Sequence, residues 1–326
     1  MAQMTMAEAI KFSNASEISK AIMAKFNMVA QVFATIPSRP INGKRIPKFT
    51  VTAPTTGFRA ENTGFDPTFT AVSKDTEQCY ALGGYSPLDR MSIMEAKSAG
   101  LSKEDFIRSQ ILGLVGSSSG KADTQFFYGD SGSDNGYDGL FKRVSKDGDY
   151  FVDAGGRTDP DGGLTSIYFA YFGEGFAEGL WGDGKIIGES SVSVSEEMNL
   201  KDADNKAYRG HEVQLECYPG VAYYQSRAIA QLGNITTTVA DHKATVDLLD
   251  SLLERVAYRD FDQTLCRIYM NYTAFGHIKP AVGTDIVYQT VEEFGRDDLK
   301  YPHFRGIPVI ITPKVLNTET NKIPAA

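Results

Sequence analysis

The chain has 326 residues, 42% hydrophobic and 23% charged, enough for one large domain or two modest ones and too balanced for wholesale disorder. Its net charge of −8 argues against a protein whose main task is gripping nucleic acid. No run approaches the roughly 18 apolar residues a membrane-spanning helix needs, and residues 1–11 lack the charged-then-apolar layout of a signal peptide, so a cytosolic folding compartment is expected.

Ile18, Ile22, Phe26, Val29 and Phe33 recur at helical spacing and predict an amphipathic helix that ends before Pro37. The segment PSRPINGKRIPKF that follows reads as an extended strap, more arm than core. On that reading residues 1–36 are dispensable for folding of the rest. Residues 49–85, rich in Thr, Phe and Gly, read as a long two-stranded excursion too poor in large aliphatics to bury a core of its own.

Ser102 and Asp105 form an S-x-x-D capping pair, and Ile107, Ile111, Leu114 and Val115 make one apolar stripe. A helix is predicted from about Lys103 to Gly116, ending in GSSSG. Strand character begins at LTSIYFAYF (164–172) and continues through HEVQLEC and VAYYQSRAIAQLGNI. Residues 242–257 return to helix, with Val246, Leu249, Leu253 and Val256 on one face; LCRIYM, DIVYQTV and GIPVIIT are strands. The class is α+β, with mostly antiparallel strands.

Motifs that could carry chemistry are thin. GSSSGKAD is one residue short of a phosphate-cradling loop, follows a helix, and has Ala122 where a Mg²⁺-binding hydroxyl is required; a helix C-terminal cap is the plainer reading. Gly129-Asp130-Ser131-Gly132 matches a serine-protease nucleophile, but all four histidines follow it and the oxyanion-loop sequence is missing. Cys79, Cys217 and Cys266 lie far apart, so buried free thiols are expected and no metal or cofactor is. Trp181, between glycines, reads as a turn or interface anchor.

Charge is segregated. Between Pro37 and Ala60 stand five basic residues (Arg39, Lys44, Arg45, Lys48, Arg59) and no acid, whereas between Asp123 and Gly163 stand nine aspartates and four basic residues. Either the subunit meets copies of itself, basic arm on acidic neighbour, or two solvated loops differ in sign.

Several segments together resemble the major capsid proteins of tailed bacteriophages, whose shell fold is the Hong-Kong-97 type: MTMAEAIKFSN at the start, the Thr/Gly/Phe-rich stretch, FFYGDSGSDNGYDGLFKRV (126–144), RIYMNYTAFGHI (267–278) and FRGIPVIITP (304–313). The resemblance spans about residues 3–318 and rests on the order and spacing of individually weak motifs. It implies an N-arm (1–48), an E-loop (49–89), a P-domain (90–241, spine helix about 103–116, long strands about 164–235) and an A-domain core with the C-terminal segment (242–326). The 70 or so strand-rich residues after the 126–144 loop depart from the commonest order and leave the strand order open.

The implied function is assembly, as pentamers and hexamers, into an icosahedral head shell around double-stranded DNA. A separate scaffolding protein or none, a portal and a decoration protein are the partners the resemblance suggests. The expected location is the virion, after assembly in the host bacterial cytoplasm. Arg39, Lys44, Arg45, Lys48, Phe58, Arg59, Phe65 and Phe69 are expected to meet a neighbouring subunit, with Asp123, Asp130, Asp134 and Asp138 as acidic counterparts. The alternatives are an encapsulin-type compartment of the same fold and, from a different class, a β-rich serine hydrolase built on Asp130, Ser131 and the histidines.

Overall fold

In the computed structural model, residues 21–22, 24–25, 28–30, 32–52, 56–59, 61, 64, 71–156, 163–187, 191–237, 242–281, 283–291, 300–320 and 322 are described. The first half of the chain contributes β1 (Ser38–Ile41), β2 (Arg45–Thr52), β3 (Ala71–Gln78), β4 (Leu82–Asp89), α1 (Arg90–Ser98), α2 (Lys103–Tyr128), α3 (Leu140–Arg143) and β5 (Phe151–Asp153). Then come β6 (Leu164–Tyr171), β7 (Ala177–Gly182), β8 (Val192–Val194), β9 (Met198–Lys201), β10 (Ala207–Cys217), β11 (Pro219–Tyr223) and β12 (Ile229–Thr236). The last part supplies α4 (Val246–Val256), β13 (Cys266–Met270), α5 (Tyr272–Ile278), β14 (Ile286–Thr290), β15 (Lys300–Phe304) and β16 (Ile307–Ile311).

Helix α2 runs on through GSSSG to Tyr128, which corrects both the expected stop at Gly116 and the reading of GSSSGKAD as a cap. Its start is as expected: the Ser102 hydroxyl accepts from the Asp105 N–H at 3.0 Å and donates to the Asp105 carboxylate at 2.6 Å. Glycine and serine are weak helix formers, each costing up to about 1 kcal/mol, but packing overrides propensity here. Ile111, Val115, Ser118, Ser119, Ala122, Asp123 and Phe126 recur at helical spacing and are all buried. Ser119 and Thr124 return their hydroxyl protons to the carbonyls of Val115 and Gly120, at 2.6 and 2.9 Å, so neither hydroxyl competes for an N–H.

The small side chains of α2 let the segment before β1 approach. Residues 21–22, 24–25 and 28–29 are helical, in keeping with the expected N-terminal helix; Ile18 and Phe26 lie outside the described residues. This segment packs into the core and is not a free arm: Ile22, Ala30, Val32, Phe33 and Ile36 are at most 1% exposed. β1 pairs in parallel with β7, Ser38 opposite Gly179, in a three-stranded sheet ordered β1-β7-β11. Trp181 on β7 is likewise core, packed edge-on against Phe33 with its indole N–H donated to Ser38 at 3.0 Å. The extended strap is therefore a sheet strand, and residues 30–36 belong to the body they were expected to leave.

A seven-stranded sheet, ordered β14-β15-β16-β13-β6-β12-β5, separates two cores. β6 is buried on both faces, as its near-continuous apolar sequence requires. On one side Ile167 and Phe169 meet Leu249, Leu252, Leu253 and Val256 of α4. On the other, Tyr168 and Tyr269 meet Phe127 of α2, ring centroids 5.4 and 5.7 Å apart. Each large apolar side chain so buried contributes about 1.5–3 kcal/mol. Because β6 and β12 bond directly into the sheet of β13 and β16, a division at residue 241/242 would cut this hydrogen-bonded layer.

A smaller sheet, β4-β10-β8 with β9 beside β10, carries α2 on one face. β2 and β3 form a two-stranded ribbon that pairs with no other described strand.

Candidate assembly surfaces

The β2–β3 ribbon is the expected excursion, in register from Arg45 opposite Gln78 to Thr52 opposite Ala71. Its base is half-buried at Ile46, Lys48, Glu77 and Gln78, and beyond that both faces are exposed. Phe49 is 56% exposed, Val72 61%, and Phe58, further out, is fully exposed. Phe65 and Phe69 lie outside the described residues.

The basic residues have neighbours within their own chain. Arg39 grips Glu178 with two hydrogen bonds, at 2.7 and 2.8 Å, and Tyr224 donates to the same carboxylate. The Lys44 ammonium sits 3.8 Å above the Tyr218 ring, and Lys48 lies 4.0 Å from Glu77. Arg45 donates to Gln78 at 3.0 Å; Arg59 is exposed.

The four aspartates divide. Asp123 is fully buried and accepts the backbone N–H groups of Val32 and Phe33 at 3.2 and 2.8 Å, so it is removed from the set of surface acids. Its place on the buried face of α2 has a plain cause: two N–H groups of the incoming segment need an acceptor there. Lys142 bridges Asp130 at 2.5 Å and Asp138 at 2.8 Å. The hydrogen bond from Lys142 holds the Asp130 carboxyl down to about 2. Partial burial opposes the same shift at Asp138, but its bonds from Lys142 and the Ser131 N–H prevail and the carboxyl is lowered. Asp134 remains exposed on the turn between them.

The loop that carries these acids owes its shape to close approach. A Cβ on Gly129 would stand 2.2 Å from the Tyr137 carbonyl oxygen, and one on Gly139 2.6 Å from the Phe127 backbone. The loop delivers Arg143, whose guanidinium donates to both Glu77 oxygens at 2.8 Å, a pair that no spacing in the sequence reveals.

Other exposed apolar groups went unmarked in the sequence. Tyr85, Met91, Met94 and Leu101 gather around β4 and α1, and Val287 and Tyr288 stand on β14, an edge of the large sheet. The thiols behave as expected: all three are buried and free, and burial pushes them up to about 11 for Cys79 and about 12 for Cys217 and Cys266.

The family described as Major capsid protein GP7 matches residues 31–322. No curated protein sequence matches. Among solved structures, that of bacteriophage Epsilon15 is similar with a TM-score of 0.60 at 19% identity, over 87% of this chain and 86% of that one. The bacteriophage JBD30 capsid gives 0.46 at 10% identity, over 87% and 90%. The SrpI encapsulin of Synechococcus elongatus PCC 7942 gives 0.43 at 11% identity, over 71% and 96%. The fold is thus the mixed α+β Hong-Kong-97 type. The chain belongs to the GP7 family of major capsid proteins, the shell-forming subunits of virions.

Proposed function

We propose that this subunit forms pentamers and hexamers that close an icosahedral head around double-stranded DNA, with the β2–β3 ribbon lying over a neighbouring subunit. One observation carries the reading: the outer part of a ribbon exposed on both faces, leading to a fully exposed Phe58, pairs with no other described strand. A two-stranded ribbon alone is marginal in water, so a second copy is its natural support. Phe65 and Phe69 would extend the apolar contact, and Arg39, Lys44, Arg45, Lys48 and Arg59 would meet Asp134 and the Lys142-screened pair Asp130 and Asp138. In this reading a separate scaffolding protein, the portal and a decoration protein are the other partners, and assembly takes place in the host cytoplasm.

The chain is read as a structural subunit rather than an enzyme because the family it matches is one of capsid proteins. An encapsulin-type compartment would differ in contents, which microscopy distinguishes as cargo or packaged DNA.

The test is Phe58→Asp and, separately, Arg45→Glu, in the full chain. The melting temperature of the unassembled subunit is expected to hold while shell yield collapses, and yield should fall with salt as the Debye length shortens from about 10 Å at 0.1 M to about 3 Å at 1 M. Wild-type shells from Phe58→Asp would overturn the overlay. Normal empty shells with impaired DNA retention from Arg45→Glu would turn the basic residues toward the genome instead.

A further inference from the structure

We propose that Arg143, acting through Glu77, is the positioning residue that sets the angle of the β2–β3 ribbon on its own subunit, and thereby the geometry of the shell. The proposal rests on the reading of the ribbon as an intersubunit overlay.

The ribbon is fastened at two levels. At its foot the Cys79 N–H to Lys44 carbonyl bond, at 2.8 Å, closes the ribbon on itself, and Asp183 N–H to the Gly43 carbonyl at 2.9 Å and Tyr80 N–H to the Pro219 carbonyl at 3.2 Å tie it to the body. Gly43 takes φ +79°, a turn open to glycine. These bonds hold one end and leave a pivot. Two residues up β3, Glu77 is the first side chain held by the body, and it is held at both oxygens by Arg143. The two side chains are only 11% and 16% exposed. Arg143 is itself fixed: its Nε donates to the Asp138 carbonyl at 2.8 Å, and its guanidinium lies 4.6 Å from the centre of the Tyr223 ring on β11. Three groups thus lock one guanidinium in plane, and a planar fork fixes direction as well as distance.

The geometry makes this grip a lever. Glu77 stands about 7 Å along the strand from the pivot, and eight residues of strand reach about 27 Å. A displacement at Glu77 is therefore magnified about fourfold where the regular ribbon ends. The loop over residues 129–140 acquires a purpose on this account. Its glycines, and the Lys142 bridge between Asp130 and Asp138, hold Arg143 in place from within its own subunit.

The experiment uses the full chain with a spin label at Phe58→Cys and a second at Tyr272→Cys, 65% exposed on the body. The three native thiols are buried, so labelling is confined to the introduced pair. Interspin distances are measured in the labelled, unassembled subunit, and shell diameters by microscopy on the Glu77 and Arg143 variants that keep Phe58 and Tyr272. Glu77→Gln and the charge-retaining Arg143→Lys are expected to replace one narrow distance distribution with a broad one, and uniform shells with a spread of diameters. Glu77→Gln combined with Arg143→Met, a pairing that leaves no buried charge, guards against simple misfolding and is expected to broaden the distribution equally. An unchanged distribution in the single variants would overturn the proposal, as would a broadened one with uniform shells. Failure of the overlay reading is separate: it would show as normal shells from Phe58→Asp, whatever the distances in the free subunit.

Discussion

Replacing Asp123 with alanine removes the acceptor that the body offers to the segment entering β1. Two buried N–H groups, at Val32 and Phe33, lose a carboxylate held at 3.2 and 2.8 Å. Hydrogen bonds to a charged group contribute about 1.5–3 kcal/mol each, and a buried N–H left without a partner forfeits a similar amount. Relief of the buried charge's desolvation offsets part of this, so a net loss of about 3–4 kcal/mol is expected. Against a total stability of about 5–15 kcal/mol, that is a large fraction. Urea unfolding of the unassembled subunit measures the loss, and amide exchange at Val32 and Phe33 localises it. Asp134→Ala, an exposed neighbour in the sequence, is the control and should cost under about 0.5 kcal/mol. Should Asp123→Ala unfold at the control's midpoint with both amides still protected, the carboxylate would not be holding the segment. The same logic reverses the expectation for truncation: removing residues 1–36 takes away Phe33 from Trp181 and both donors from Asp123, and the remaining body should lose stability.

Two further outcomes are expected. Burial lowers the Lys322 amine to about 8 against an ordinary value of 10.5, so between those pH values the unfolded chain binds the extra proton and rising pH favours the fold. The stability difference between wild type and Lys322→Met should therefore grow from pH 8 to 10.5, and parallel pH curves would refute it. Ser102→Ala should cost about 1 kcal/mol through loss of its bond from Asp105, and Ile111→Asp, at a site 6% exposed, several times that; equal midpoints for the two variants would refute the packing of α2.

Local signals in the sequence carried the elements whose partners lie nearby. The cap at Ser102, the amphipathic face of α4 and the strands β6, β10, β12, β13, β14 and β16 follow from short-range pattern alone, whereas β7, β8, β9 and β15 do not. The extension of α2 could not, because GSSSG is helical only through what lies against it. Trp181 looked like a surface anchor for a similar reason: nothing in GLWGDG reveals that β1 and Phe33 cover it. Among the proposed contact residues, sign and composition pick out the run of basic side chains from Arg39 to Arg59. They could not tell Asp123 from Asp134, since burial of one and exposure of the other depend on which face of α2 the residue occupies and where that helix ends. Glu77 and Arg143, 66 residues apart, leave no periodic trace at all.

The seam of the large sheet has a consequence for biosynthesis. Glu319 bridges back to Leu164 and accepts the Ser166 and Tyr168 hydroxyls, 153 and 151 residues earlier in the chain, while the Leu316 N–H reaches the Tyr128 hydroxyl 188 residues back. Contacts of such sequence separation form late and slowly. On the ribosome the ribbon with its exposed Phe58 emerges long before the residues that close the sheet. On the proposed overlay, a nascent subunit carries its contact ribbon while its body is still open, and only a chain whose sheet has closed offers a neighbour a finished docking face.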